Sequence, residues 1–256
     1  GAPESPAAAQ RKASPGKRPA KVGTHCTGPP VVLDAELLAK AVAHLRRADP
    51  KVAALIAQVG PPSQLLPAQA GTHGAFRSLA RSVVYQQLST KVATKIFARL
   101  EALCEEVGGG EGLSPAVCLR LPEGRLLKGA VGLSRRKAEY LRELAAAFQS
   151  GAIDESALGA MSDAEVLQAV TSLRGFGPWS AEMFLMFACG RPDVLPTGDL
   201  GVQKGMQRLY GPRARLPSPA EMETIAEPWR PYRSVGTFFM WKAVDSGGGG
   251  GGGAAA

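Results

Sequence analysis

The chain has 256 residues, 45% of them hydrophobic, and a formal charge of +8. That is enough for one large domain or two small ones with a proper core. No apolar run is long enough to span a membrane, and the first residues lack the charged-then-apolar pattern of a signal peptide. The chain begins at Gly rather than Met, which leaves a preceding segment, with any targeting signal in it, open. The positive balance suits a polyanionic partner. Residues 1–30 carry five Lys/Arg (Arg11, Lys12, Lys17, Arg18, Lys21) against Glu4 alone, which is half of the net charge. Rich in Pro and Ala, they read as a disordered basic tail.

From residue 31 to 245 helical periodicity dominates. Phe76, Leu79, Ala80, Val83 and Val84 make one apolar helix face, and Val92, Ile96, Phe97, Leu100 and Leu103 make a second. Gly108–Gly110 breaks the chain. Ala138, Leu141, Leu144, Ala145 and Phe148 form another face. Ser162 with Glu165 reads as a capping box opening a helix that runs to Leu173. Ser218-Pro219-Ala220-Glu221 repeats that signature with Pro at the first helical position. Strand alternation is absent, so the fold class is all-α. Residues 246–256 are Ser, Gly and Ala only and read as a disordered tail. The four cysteines (26, 104, 118, 189) form no C-x-x-C pair, and His25, His44 and His73 are scattered. This fits neither a zinc site nor an iron–sulfur cluster, so no metal or cofactor is expected; the thiols read as free, in a reducing compartment.

The informative stretch is Leu173-Arg174-Gly175-Phe176-Gly177-Pro178-Trp179-Ser180-Ala181, between the Ser162-capped helix and an apolar helix reaching about Cys189. Two glycines two apart give a tight turn, and the amides of the turn and of the next first turn point outward together. Such amides suit a DNA phosphate, although a Gly-x-Gly turn alone is as readily an ordinary connection. Downstream, Pro196-Thr197-Gly198-Asp199-Leu200-Gly201-Val202 puts Asp199 at a helix N-cap. A capping aspartate is common. The same position also fixes a carboxylate and keeps it ionised.

The hairpin, the carboxylate twenty residues past Trp179, and Trp229-Arg230-Pro231-Tyr232-Arg233 together resemble the helix-hairpin-helix DNA glycosylase superfamily. The closest resemblance is to its alkylpurine (3-methyladenine type II) branch. Ser82-Val83-Val84-Tyr85-Gln86-Gln87-Leu88-Ser89 and Gly132-Leu133-Ser134-Arg135-Arg136-Lys137-Ala138 resemble that branch too, and the likeness covers residues 72–245. It implies an all-helical fold of two subdomains flanking a DNA-binding cleft. Residues 31–71 are too short for the β-rich N-terminal subdomain of some members, and the cysteine-ligated cluster of others is missing. Bifunctional members place a Lys two residues after the second hairpin glycine; here Trp179 stands there, so no Schiff-base nucleophile and no strand cleavage are expected.

The resemblance implies a repair enzyme that removes alkylated purines from double-stranded DNA; a monomer is expected, and the basic tail fits a nucleus or an organelle. Asp199 is the expected catalytic carboxylate, stabilising an oxocarbenium-like sugar. No second acid stands out. Trp179, Tyr85 and Trp241 are candidate walls of an aromatic base pocket, with core packing the plain alternative for the last two. Gly175, Gly177, Ser180, Gln86, Gln87 and Lys204 are candidate DNA contacts, Gln86 and Gln87 alternatively capping buried polar groups. Arg233 is expected to pair with a carboxylate and hold the last helix. Two alternatives stay open: a non-catalytic helix-hairpin-helix DNA-binding module, and a glycosylase for other damaged or mismatched bases.

Overall fold

A computed structural model describes residues 30–66, 74–127, 129–211 and 215–245. Apart from Pro30, both expected tails lie outside the described residues, as do His25, Cys26 and His73.

The helices follow their caps. α1 (Ala35–Ala48) starts at Asp34, whose carboxylate accepts the Leu37 amide at 2.7 Å. α2 (Pro50–Val59) starts at Asp49 with Pro at its first position. These two helices fill the stretch that the sequence left unassigned; the Asp49-Pro50 pair was the signal for α2 and Asp34 that for α1. The expected apolar faces of the next segment are α3 (Gly74–Tyr85) and α4 (Thr90–Gly108). α5 (Pro115–Arg120) and the single turn α6 (Glu123–Leu126) lead to α7 (Arg135–Gln149), where the Ser134 hydroxyl accepts the Lys137 amide. After the turn α8 (Glu155–Leu158), α9 (Asp163–Ser172) opens on the expected Ser162–Glu165 capping box. α10 (Pro178–Phe187), α11 (Leu200–Tyr210), α12 (Pro219–Ala226, with the Ser218–Glu221 box) and α13 (Arg233–Asp245) complete the chain. Among the described residues there is no strand, only an isolated bridge between Leu127 and Leu133. No described helix is long and apolar enough to cross a membrane.

The helices pack in two groups. α3, α4, α5 and α7 pack on one another, and the pair α9–α10 joins them through α3. The chain then returns, and α11–α13 pack with α1 and α2. This closure ties the start of the domain to its later elements. Leu33 N–H donates to the Gly190 carbonyl at 2.7 Å, and Trp229 Nε1 donates to Asp49 Oδ2 at 2.9 Å.

The connection from 190 to 199, which carries the chain from one group to the other, is clamped to α13. Arg233 grips Asp193, Nε on Oδ1 at 2.7 Å and Nη2 on Oδ2 at 2.9 Å. Ser234 Oγ donates to the Arg191 carbonyl and accepts the Val194 amide. Arg191 lies against Asp163 (Nε–Oδ1 3.2 Å) and donates to the Met161 carbonyl. Arg233 thus holds the last helix as expected, with Asp193 as its partner. Removing one member of a buried pair of this kind costs about 3–5 kcal/mol, because the other charge is stranded. The clamp fixes how the chain arrives at Asp199.

Candidate active site

The hairpin is built on Tyr140. Gly175 has φ +92, and a Cβ there would sit inside the Tyr140 ring of α7. Both conformation and close approach therefore require glycine. Gly177 differs: its φ is −114, and a Cβ would meet nothing within 4 Å. The turn does not need that glycine; its missing side chain leaves the start of α10 open. α10 has no side-chain cap, Pro178 has no N–H, and the Trp179 and Ser180 amides occupy the first turn, where no intrahelical acceptor exists. The Ser180 side chain is buried, so any phosphate contact there runs through its amide.

The turn between α3 and α4 is tied to the hairpin. Gln86 Nε2 donates to the Gly175 carbonyl at 2.8 Å, and Lys137 Nζ donates to the Val84 and Gln86 carbonyls at 2.7 Å each. Burial pulls the Lys137 ammonium below its ordinary pKa. Gln86 thus holds a half-buried carbonyl of the hairpin, close to the plainer of its two expected roles. Gln87 is exposed with φ +56, and Leu88 beside it is exposed as well. Gln86 and Gln87, with Ser134, Arg136, Lys137 and Tyr140, line a cleft of about 190 Å³ next to Gly175.

Asp199 caps α11, as expected, and much else converges on it. Oδ1 accepts the Val202 amide at 2.8 Å and the Trp241 indole N–H at 2.9 Å; Oδ2 accepts the Trp179 indole N–H at 2.8 Å. The donors come from α10, α11 and α13, so the carboxylate sits where the two helix groups meet, only 7% exposed. Its neighbours Gly198 and Leu200 are exposed, Leu200 by 53%. α11 and α13 approach closely enough for the Trp241 bond because Gly201 and Gly205 face α13; a Cβ on Gly201 would lie 2.8 Å from Trp241 Cδ1.

The three aromatic candidates therefore separate. Trp179, half-buried at the start of α10, donates to Asp199. Trp241 is buried and stacked on Phe187 at 5.9 Å, so it packs in the core and also orients Asp199. Tyr85 is engaged elsewhere: its hydroxyl bonds Thr94 Oγ1 at 2.9 Å, its ring meets Phe97 edge-on, and Arg81 lies over it. Lys204 is exposed on α11, about one turn beyond Asp199.

Glu182 is a second acid that sequence reasoning missed. It lies on α10, one turn past Trp179, and is 4% exposed. Burial, reinforced by the nearby Asp199 charge, pushes its carboxyl up to about 8. The signal was the one charged residue on the largely apolar helix Pro178–Phe187.

Residues 80–231 match the family described as HhH-GPD superfamily base excision DNA repair protein. The chain is 31% identical over 171 residues to DNA-3-methyladenine glycosylase 1 of Schizosaccharomyces pombe, covering 65% of this chain and 71% of that protein. It is 30% identical to DNA-3-methyladenine glycosylase of Saccharomyces cerevisiae, covering 65% and 66%. A solved structure of the Schizosaccharomyces pombe 3-methyladenine DNA glycosylase in complex with abasic DNA superposes with a TM-score of 0.69 at 28% identity, covering 79% of this chain and 95% of that one.

Proposed function

The chain belongs to the HhH-GPD superfamily of base excision DNA repair proteins, and from that premise we propose that it hydrolyses the N-glycosidic bond of alkylated purines in duplex DNA, leaving an abasic site and an uncut strand. The observation that carries this reading is the fixed carboxylate: two indole N–H groups and a backbone amide aim Asp199 from three elements at the junction of the two helix groups.

A damaged base must leave the stack to be reached. N3- or N7-alkylation makes the base cationic and a good leaving group, so the chemistry asks mainly for stabilisation of the positive sugar as the bond breaks. An ionised carboxylate that needs no reorientation does this and can help activate water. The uncapped first turn of α10 and the open Gly177 suit a phosphate of the lesion strand. Leu88, apolar and exposed on a turn anchored to the hairpin, suits insertion into the gap that a flipped base leaves. Trp179 stands where strand-cleaving relatives carry Lys, which supports a monofunctional enzyme. A single copy presents every group used here, which supports action as a monomer. The basic segment 1–30 adds counterion-releasing affinity and suits a nuclear or organellar setting.

Duplexes carrying 3-methyladenine, 7-methylguanine or no lesion test the reading, with free base, abasic sites and strand breaks detected separately. Free methylated base and abasic sites without breaks are expected. Binding without base release would return the chain to a DNA-binding module, and an adduct trapped by borohydride would overturn the monofunctional assignment.

A further inference from the structure

The turn from α3 to α4 carries the exposed Gln87 and Leu88, and its backbone is unusual. Gln87 has φ +56, a left-handed conformation that residues other than glycine seldom adopt and that persists only where its surroundings impose it. The last carbonyls of a helix have no partner within it. Here three in a row are taken: Val84 and Gln86 by the Lys137 ammonium at 2.7 Å each, and Tyr85 between them by the Leu88 amide at 3.2 Å. Lys137 reaches them from the first turn of α7, and among the described residues no carboxylate is paired with it. The Gln86 side chain ties the same turn to Gly175 of the hairpin, and Gly175 lies against the Tyr140 ring, one turn along α7 from Lys137. The cleft between them has no aliphatic residue in its lining, so on this side the turn is held by polar bonds and not by apolar packing.

Without Lys137, two of the three carbonyls lose their donor, and the residue that follows them is the left-handed Gln87. A cation at this end of α3 also suits the negative pole of the helix. We propose that Lys137 is a positioning residue for base removal: by gripping the end of α3 from α7, it fixes the Gln87–Leu88 tip in the posture, relative to the hairpin, from which Leu88 enters the base stack. The inference rests on the reading of Leu88 as the residue that fills the gap behind a flipped base. It adds that the tip and the phosphate-binding hairpin form one rigid unit mounted on the start of α7, through Lys137 and Gln86 on one side and Tyr140 on the other. A phosphate seated at the hairpin then sets the depth and angle of Leu88. Lys137 touches neither base nor sugar; it acts through the backbone that it holds.

The test is a mutant cycle on the full chain: the native protein, K137M, L88A and the double variant, each assayed for single-turnover release of 7-methylguanine from a duplex, per folded molecule. K137M keeps the length of the side chain and loses its donors. Either change alone should slow release by about ten- to a hundredfold, the cost of a misplaced group. The double variant should be no more than about twofold slower than the slower single one, because changes within one unit do not add. A lysine that merely stabilised the domain would slow the native and L88A backgrounds by the same factor. A second readout is 2-aminopurine opposite a tetrahydrofuran abasic residue, which brightens when the tip unstacks it. K137M should lose that signal as L88A does, while its affinity for undamaged duplex, seated by phosphate contacts, stays within about threefold. Multiplicative losses in the cycle, near-native release by K137M beside a slow L88A, or an undiminished 2-aminopurine signal in K137M overturns the proposal and leaves Leu88 in place. Near-native release by L88A removes the reading of Leu88 on which the proposal rests, and no release by the native protein removes the glycosylase reading itself. If K137M does not fold, the shorter amide of K137Q takes its place in the cycle.

Discussion

Asp49 and Asp199 are built alike. Each is an N-cap, each is 7% exposed, and each accepts an indole N–H. Asp49 Oδ1 takes the Lys51 and Val52 amides; Oδ2 takes Trp229 Nε1 and the Tyr210 hydroxyl, whose pKa is driven far up by burial and by Asp49 itself. All of these donors belong to the group in which the chain's ends close on each other. Asp199 draws its donors from both groups, has exposed neighbours on either side, and carries a charge that helps to raise the carboxyl of Glu182. A cap and an aromatic grip therefore make a rigid carboxylate without making a reactive one. Position between the two groups, an open mouth and an unbalanced local charge are what set Asp199 apart.

The comparison breaks most sharply on parallel amides. Asp199→Asn should lower single-turnover base release by ~10²–10³ or more. Its melting should change little, because the new NH₂ can face Trp179 and forfeit one hydrogen bond, about 1 kcal/mol. Asp49→Asn should do the reverse. Each of its oxygens serves two donors, so either orientation opposes an NH₂ to two of them; stability should fall by about 2–4 kcal/mol, with excision per folded molecule kept. Near-native excision by folded Asp199→Asn protein would make the two aspartates equivalent and sink the mechanism.

Glu182 sharpens the contrast through pH. Its carboxyl is raised in the folded protein, so the unfolded chain ionises first, and the residue costs stability increasingly as pH rises from its ordinary value of 4.5 to about 8. Glu182→Gln should be nearly neutral near pH 4.5 and stabilising by on the order of 3 kcal/mol at pH 7, read as a difference in thermal melting at the two pH values. A stability gain independent of pH would mean that Glu182 is not held protonated.

Trp241→Phe removes one donor from Asp199 and should slow excision about tenfold. Trp229→Phe removes the matching donor from Asp49 and should cost only stability, by about 1–2 kcal/mol. Single-turnover rates beside melting curves separate the two. The smallest effect is at the hairpin. Gly177→Ala should weaken binding to all duplexes alike by a few-fold with unchanged melting, whereas Gly175→Ala should destabilise by about 1–3 kcal/mol through its left-handed backbone and the Tyr140 ring. A loss at Gly177→Ala confined to one lesion would put that residue at the base rather than at the phosphate.

What the sequence determined by itself was whatever is local. Helix periodicity and cap chemistry act over three or four residues, so α3, α4, α7 and both capping boxes were legible, and so was Asp199 as a cap. Motif order carried the hairpin and its carboxylate as a set. Only the tertiary structure decided which long-range partners meet. It separated Tyr85, tied to Thr94, from the two tryptophans that reach Asp199 across twenty and forty-two residues. It gave Gly175 a steric reason that Gly177 lacks, and it named Asp193 as the partner of Arg233. It also turned an ordinary glutamate on an apolar helix into an acid with a raised pKa. The physical reason is common to all of these: hydrogen-bond partners and desolvation depend on which surfaces packing brings together, and a carboxylate's neighbours are set by helices far apart in the chain.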